Sequence, residues 1–150
     1  MQPRQAVELT AAESWRLLAG ASLGRVVFTQ HAMPALRPVN HVVHDGRIII
    51  RSHPDSAITA RADHGRGTVV LYEADDIDPV TRTGWSVIVT GLARLVDDPA
   101  QAARYKDMVL PWAAGNMSNV ISIDPEIVTG FELTENADQT ASTGPADDRR

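Results

Sequence analysis

The chain has 150 residues, 43% of them hydrophobic and 22% charged, with a formal net charge of −5 and no cysteine. That length is most simply one domain, long enough to bury about two-thirds of its unfolded surface. The negative balance argues against a nucleic-acid backbone or an anionic membrane as partner, and the absence of thiols excludes disulfides, thiolate nucleophiles and thiolate metal sites.

The first stretch, "MQPRQAVELT", lacks a signal peptide's apolar core, and no window approaches the roughly 18 apolar residues of a membrane span. A cytoplasmic location is therefore expected. "LTAAESWRLLAGASLG" reads as a helix opened by a capping box, Thr10 with Glu13 three residues on, and stopped near Gly20 or Gly24. "RVVFT" reads as a strand and "QHAMPA" as a loop.

"RPVNHVVHDGRIIIRS" follows, two strand-like runs joined at Asp45-Gly46, a pair that favours a type I′ turn. That turn predicts His44 opposite Arg47, Val42 opposite Ile49, and Asn40 opposite Arg51. Alternation then puts Val39, His41, Val43, Ile48, Ile50 and Ser52 on one face. Asn40, Val42, His44, Arg47, Ile49 and Arg51 lie on the other, which is half polar. "DSAITARADH" suits a short helix capped by Asp55 or Ser56, "TVVLYEA" a strand, and "DDIDPVTRTG" an acidic loop. "WSVIVTGLARLVDD" reads as a long strand with a bulge or bend at Gly91, "DPAQAARYKDMVLPW" as a helix that Pro111 ends, and "NVISIDPEIVTGFEL" as a last strand or two. Residues 134–150 are polar, contain no aromatic residue and are expected to form a disordered tail, leaving a domain at 1–133. The sum is a mainly antiparallel α+β domain, closer to a barrel than to a parallel sheet.

Ordinary roles compete for the polar residues. Asn40, Arg47 and Arg51 suit a solvated sheet face, His41 a hydrogen-bonded core, and Trp85 core packing or a dimer contact. The histidines and aspartates match no metal template, and Ser86 and Ser118 have no nearby His–Asp arrangement.

The ordered stretches "LTAAESWRLLAGASLGRVVFT", "PALRPVNHVVHDGRIIIRS", "GWSVIVTGLARLVDD" and "IDPEIVTGFEL" together resemble the flavin-binding split-barrel superfamily over roughly residues 9–133. This is the pyridoxamine 5′-phosphate oxidase-like group, with nitroimidazole-reductase-like proteins and actinobacterial deazaflavin-dependent reductases. The resemblance implies a six-stranded split barrel with short flanking helices, forming a homodimer with a flavin in a groove at the interface. It implies that Arg37, Pro38, Val39 and Asn40 line the ring and ribityl side, with Asn40 facing the flavin's uracil-like edge. Arg51, Ser52, Ser56 and Arg61 would face the phosphate, and Trp85 and Ser86 would approach the cofactor. FMN is the implied cofactor, with a deazaflavin as the alternative, and the substrate would be small and planar or quinone-like. One departure is visible: relatives carry a cation early in the short helix, where this chain has Ala57, Ile58 and Thr59. Losing one charge-assisted contact costs about 1.5–3 kcal/mol. That loss keeps open a second reading, a non-catalytic binder of a flavin, a haem or a fatty-acid-like ligand.

Overall fold

The structure, a computed structural model, describes residues 2–135. The proposed tail, apart from its first two residues, lies outside them. Thr10 fixes the start of helix α1 (Ala11–Gly20) as the capping box predicts: its hydroxyl accepts the Glu13 N–H at 3.1 Å and donates to the Glu13 carboxylate at 2.9 Å. The lead before it is not irregular. Gln5–Leu9 form strand β1, paired to the far end of the chain, a long-range partnership with no local signal.

Strands β2 (Leu23–Gln30) and β3 (Met33–Asn40) form a hairpin, so the expected loop at "QHAMPA" shrinks to a two-residue turn. His31 and Ala32 make that turn at φ 52° and 60°, a left-handed conformation for which the sequence offers neither glycine nor asparagine. The next hairpin joins β4 (Val42–His44) to β5 (Arg47–Ser52) through Asp45 and Gly46, at φ 49° and 70°. Its register is the predicted one for His44 with Arg47 and Val42 with Ile49. Asn40 is the correction: it pairs with Leu23 and does not oppose Arg51. The chain leaves one hairpin for the other at His41, whose N–H donates to the Ser22 carbonyl and whose ring is buried.

Helix α2 (Ala57–Ala62) follows, capped by Ser56. Strand β6 (Thr68–Ile77) runs three residues further into the acidic stretch than expected. Strand β7 (Gly84–Leu95) carries a register shift between Thr90 and Gly91, the irregularity that Gly91 announced. Helix α3 (Pro99–Met108) ends three residues before Pro111, and β8 (Asn119–Thr134) is one long strand.

The described strands form one antiparallel sheet in the order β3-β2-β6-β7-β8-β5-β4, with β1 added on β8. This is the mainly antiparallel split barrel, with β1 and the three-residue β4 as short additions to the six longer strands. Leu18, Val26, Phe28, Ile48, Ile50, Tyr72, Val87, Val89, Ile121 and Ile123 fill its interior. A second cluster of Ile49, Tyr105, Val109 and Val120 sits under α3. All three isoleucines of β5 are therefore buried, two in the barrel and one beneath the helix.

A buried polar chain ties the barrel to α1. The Tyr72 hydroxyl meets His41 Nδ1 at 2.5 Å, and His41 Nε2 lies 3.0 Å from the Leu18 carbonyl. With Tyr72 donating to Nδ1 and Nε2–H donating to the carbonyl, the imidazole is neutral. Burial agrees, lowering the His41 pKa and raising that of Tyr72. The ring of Tyr72 fits only because residue 24 has no side chain: a Cβ there would come within 2.5 Å of it. Gly24→Ala is expected to cost about 1–3 kcal/mol through overpacking. Gly20→Ala, with open space around it, should be neutral or stabilising. Urea denaturation midpoints of the two variants check this.

Candidate functional site

Strand β3 at one end of the sheet and β5 near the other face each other across the split. Between them, with α2 as floor, lies a cleft of about 160 Å³. It is lined by Arg37, Pro38, Val39, Arg51, Ser52 and Ser56 among the predicted residues, together with the apolar Val26, Ile50, Ile58 and Met117. Arg37 shares the parity of Val39, which the expected hairpin put on the face opposite Arg51, and it joins the cleft because the two residues stand on separate, unpaired strands. Opposite Val26 in the β2–β3 register, Arg37 takes the side of β3 that turns toward the barrel.

The hydrogen bonds show what these side chains already do. Arg51 Nε donates to the Met117 carbonyl at 2.9 Å, and one of its terminal nitrogens to the Val109 carbonyl at 3.3 Å. Asn40 donates to the Leu110 carbonyl at 2.8 Å and accepts the Trp112 N–H at 3.1 Å. Both residues thus clamp the segment 109–117 that leads from α3 to β8. Asn40 lies outside the cleft, with both ends of its amide engaged. Arg51 lines it and keeps one terminal nitrogen without a protein partner among the described residues.

The hydroxyl groups are also committed. Ser56 Oγ donates to the His53 carbonyl at 2.8 Å, and Thr59 Oγ1 donates to the same carbonyl at 2.7 Å. Ser52 Oγ meets Thr59 Oγ1 at 2.5 Å, both side chains being buried. With those protons turned inward, an anion entering the cleft would meet the guanidinium groups of Arg37 and Arg51. Arg37 makes one bond, to the Leu36 carbonyl at 2.8 Å, and is otherwise exposed.

Besides Asn40, three more predicted residues stand elsewhere. Arg61 lies in a second groove across α2, with Gln30, His31, Ala60 and His64. Trp85 lines a third groove, of about 450 Å³, with Arg16, Leu17, Asp75, Asp76 and Trp112. Ser86 sits on the outer face of the sheet, opposite both Asp75 and Phe131. Met117 and Trp112 were missed. One segment supplies the first to the cleft and the second to the Trp85 groove, and the sole hint was an apolar "VLPW" where a helix had to end.

That outer face is unusual for its apolar content. The pairings Val27–Leu71, Leu71–Thr90 and Thr90–Ile127 put Leu71 and Ile127 on one side with Ile88 and Phe131. All four of these large residues are exposed. Among them Arg25 reaches Glu73 at 3.0 Å and Asp75 at 3.4 Å. Burial first, and then the neighbouring Asp75, push the Glu73 pKa up to about 7 against the pull of Arg25.

Two outcomes follow from this geometry. Arg51→Ala removes two bonds from a half-buried guanidinium and should cost about 1.5–3 kcal/mol. It should also expose residues 109–117 to limited proteolysis, as should Asn40→Ala, and mass spectrometry of the fragments locates the cuts. For Glu73, the folded chain keeps a proton between pH values near 4.5 and 7 that the unfolded chain has released. Stability contributed here is present below that window and falls as pH rises through it. Glu73→Gln should flatten the slope when denaturation midpoints are measured across the window.

Comparison with known proteins places this geometry. The sequence pattern of the family described as pyridoxamine 5′-phosphate oxidase matches residues 10–133. An uncharacterized protein of Mycobacterium tuberculosis is 52% identical over 132 residues, 87% of each chain. Among solved structures, a Corynebacterium glutamicum protein assigned to the pyridoxamine 5′-phosphate oxidases aligns with a TM-score of 0.72 and 30% identity, over 91% of this chain and 97% of its own. An FAD-binding protein from Mycobacterium smegmatis aligns with a TM-score of 0.66 and 30% identity, over 87% of this chain and 100% of its own.

Proposed function

The chain belongs to the pyridoxamine 5′-phosphate oxidase family of the flavin-binding split-barrel superfamily, and from that premise we propose that it is a flavin-dependent oxidoreductase. It holds FMN, or alternatively a deazaflavin, between two copies of the chain and acts on a small planar or quinone-like substrate. The observation that carries the reading is the meeting of Arg37 and Arg51 against an apolar wall in one cleft. Two guanidinium groups suit a phosphate, and Val26, Val39, Ile50 and Met117 suit the edge of an aromatic ring.

The size of the cleft supports a shared site. Its roughly 160 Å³ falls below the ~300–1,000 Å³ common for ligand pockets, so one copy supplies only part of the enclosure. The exposed apolar outer face, with Leu71, Ile88, Ile127 and Phe131, is the surface that a second copy would cover. Trp85 and Ser86, remote from the cleft of their own copy, would then serve the site of the other.

A bound flavin supplies the electron-pair chemistry. The chain's own part is to bind and orient. Arg37 and the unengaged nitrogen of Arg51 hold the phosphate, the apolar wall excludes water from the ring, and the clamped segment 109–117 fixes Met117 against it. No side chain of the cleft is required to carry a proton. A second reading, a barrel that binds the cofactor without turnover, draws support from the committed hydroxyls of Ser52, Ser56 and Thr59, which leave the phosphate few neutral donors.

Absorption spectra and FMN titration of the purified protein test the proposal. Flavin bands are expected, with a sedimentation mass of two copies, and Arg37→Ala should weaken FMN roughly ten- to hundredfold. Arg37 is the clean probe, since its side chain holds little of the fold. Oxidation of chemically reduced, protein-bound flavin by a quinone acceptor separates the enzyme from the binder. A colourless protein that binds neither FMN nor a deazaflavin at high micromolar concentration contradicts both.

A further inference from the structure

Two of the chain's three tryptophans have a place in its own fold: Trp15 and Trp85 pack against the barrel core. Trp112 belongs to neither core cluster and is 65% exposed, with Leu110 two residues before it at 70%. Its backbone, in contrast, is fixed. The Asn40 amide accepts the Trp112 N–H at 3.1 Å and donates to the Leu110 carbonyl at 2.8 Å, and Arg51 holds the carbonyls of Val109 and Met117 on either side. The chain thus secures the main chain around an indole that it leaves in water.

Trp112 and Trp85 share one groove of about 450 Å³, a volume that suits a planar ring. The polar lining there is Arg16, Ser22, Asp75 and Asp76, two carboxylates to one guanidinium. Asp76 stands opposite Trp85 in the β6–β7 register and has no hydrogen-bond or ion-pair partner among the described residues. The cleft between β3 and β5 is the complement of this groove. Its lining holds the guanidinium groups of Arg37 and Arg51, no carboxylate, and no phenylalanine, tyrosine or tryptophan. Opposite charge favours an approach of the two rims, and each has what the other lacks. Within one copy they stay apart: of the clamped segment, Met117 lines the cleft and Trp112 the groove.

We propose that Trp112 is given to the other copy: its indole lies against the ring of the flavin held in that copy's cleft, an inference that rests on the shared flavin site and adds a residue to it. In a two-fold pair the exchange is mutual, each copy closing the cleft of the other. Segment 109–117 then serves two sites at once, with Met117 at the flavin of its own copy and Trp112 at the flavin of the second. An indole against the ring adds a stacking contact. It also donates an electron to the excited flavin and so quenches its fluorescence.

Two variants in differently tagged chains test this. Arg37→Ala spoils the cleft of its own copy, and Trp112→Ala spoils the site that its copy completes. Each alone should weaken FMN, or the deazaflavin if only that binds, by roughly tenfold or more. In a mixed pair, isolated through both tags, the cleft of the Trp112→Ala copy keeps Arg37 and receives Trp112 from the Arg37→Ala copy. Titration of that pair should recover half of the sites at wild-type affinity and with quenched flavin fluorescence. A mixed pair with no wild-type site overturns the proposal and leaves flavin binding intact, as does a Trp112→Ala protein that binds flavin with unchanged affinity and fluorescence. Trp112→Phe, which keeps an apolar ring, serves where the alanine variant does not fold: its bound flavin should brighten, and unchanged fluorescence overturns the proposal. A wild-type protein that binds neither cofactor, or binds one as a single copy, overturns the shared-site reading and this inference with it.

Discussion

The register of β5 is the constraint from which the rest of the molecule follows. Asp45 and Gly46 turn the chain so tightly that Arg47 must face His44 and Ile49 must face Val42. Because side chains alternate, Ile48, Ile50 and Ser52 then enter the barrel, while Ile49 and Arg51 turn toward α3 and the segment behind it. A slip of one residue would drive both arginines of this strand into the core and carry two isoleucines out of it. Burying an unpaired guanidinium is so unfavourable that competing registers are suppressed.

That register gives Arg51 two roles. It closes the structure by holding the carbonyls of Val109 and Met117, and it offers its remaining nitrogen to the cleft. Asn40 acts only in the first way, at Leu110 and Trp112. The opening lined by Arg37 and Arg51 is thus framed by a segment that Arg51 and Asn40 secure. A shallow cleft, an exposed apolar sheet face and a tryptophan groove at a distance are the features behind the proposal of a site shared between two copies of the chain.

Much of this was legible in the sequence where the controlling contacts are local. The Thr10–Glu13 capping box, the Asp45–Gly46 turn, the Ser56 cap and the irregularity at Gly91 each depend on neighbours a few residues away, and each appears where its residues stand. The misplaced features all have remote causes. Strand β1 exists because Gln5–Leu9 meet β8. Asn40 parts from Arg51 because His41 is held by Leu18 and Tyr72, whose places in the chain nothing local reveals. The partners of Arg51 lie 58 and 66 residues further on, so the clamp made by a guanidinium expected to face a ligand could not be read locally. The His31–Ala32 turn escaped notice because neither residue is a usual occupant of that conformation.

The central claim is that Arg37 and Arg51 hold a flavin phosphate in a site completed by a second copy of the chain. A crystal structure of the protein grown with FMN tests it most directly. The account predicts the phosphate between the guanidinium groups of residues 37 and 51 of one copy, with the ring running toward strand β7 of the other. Flavin density enclosed within a single copy, or lodged away from both arginines, would contradict it.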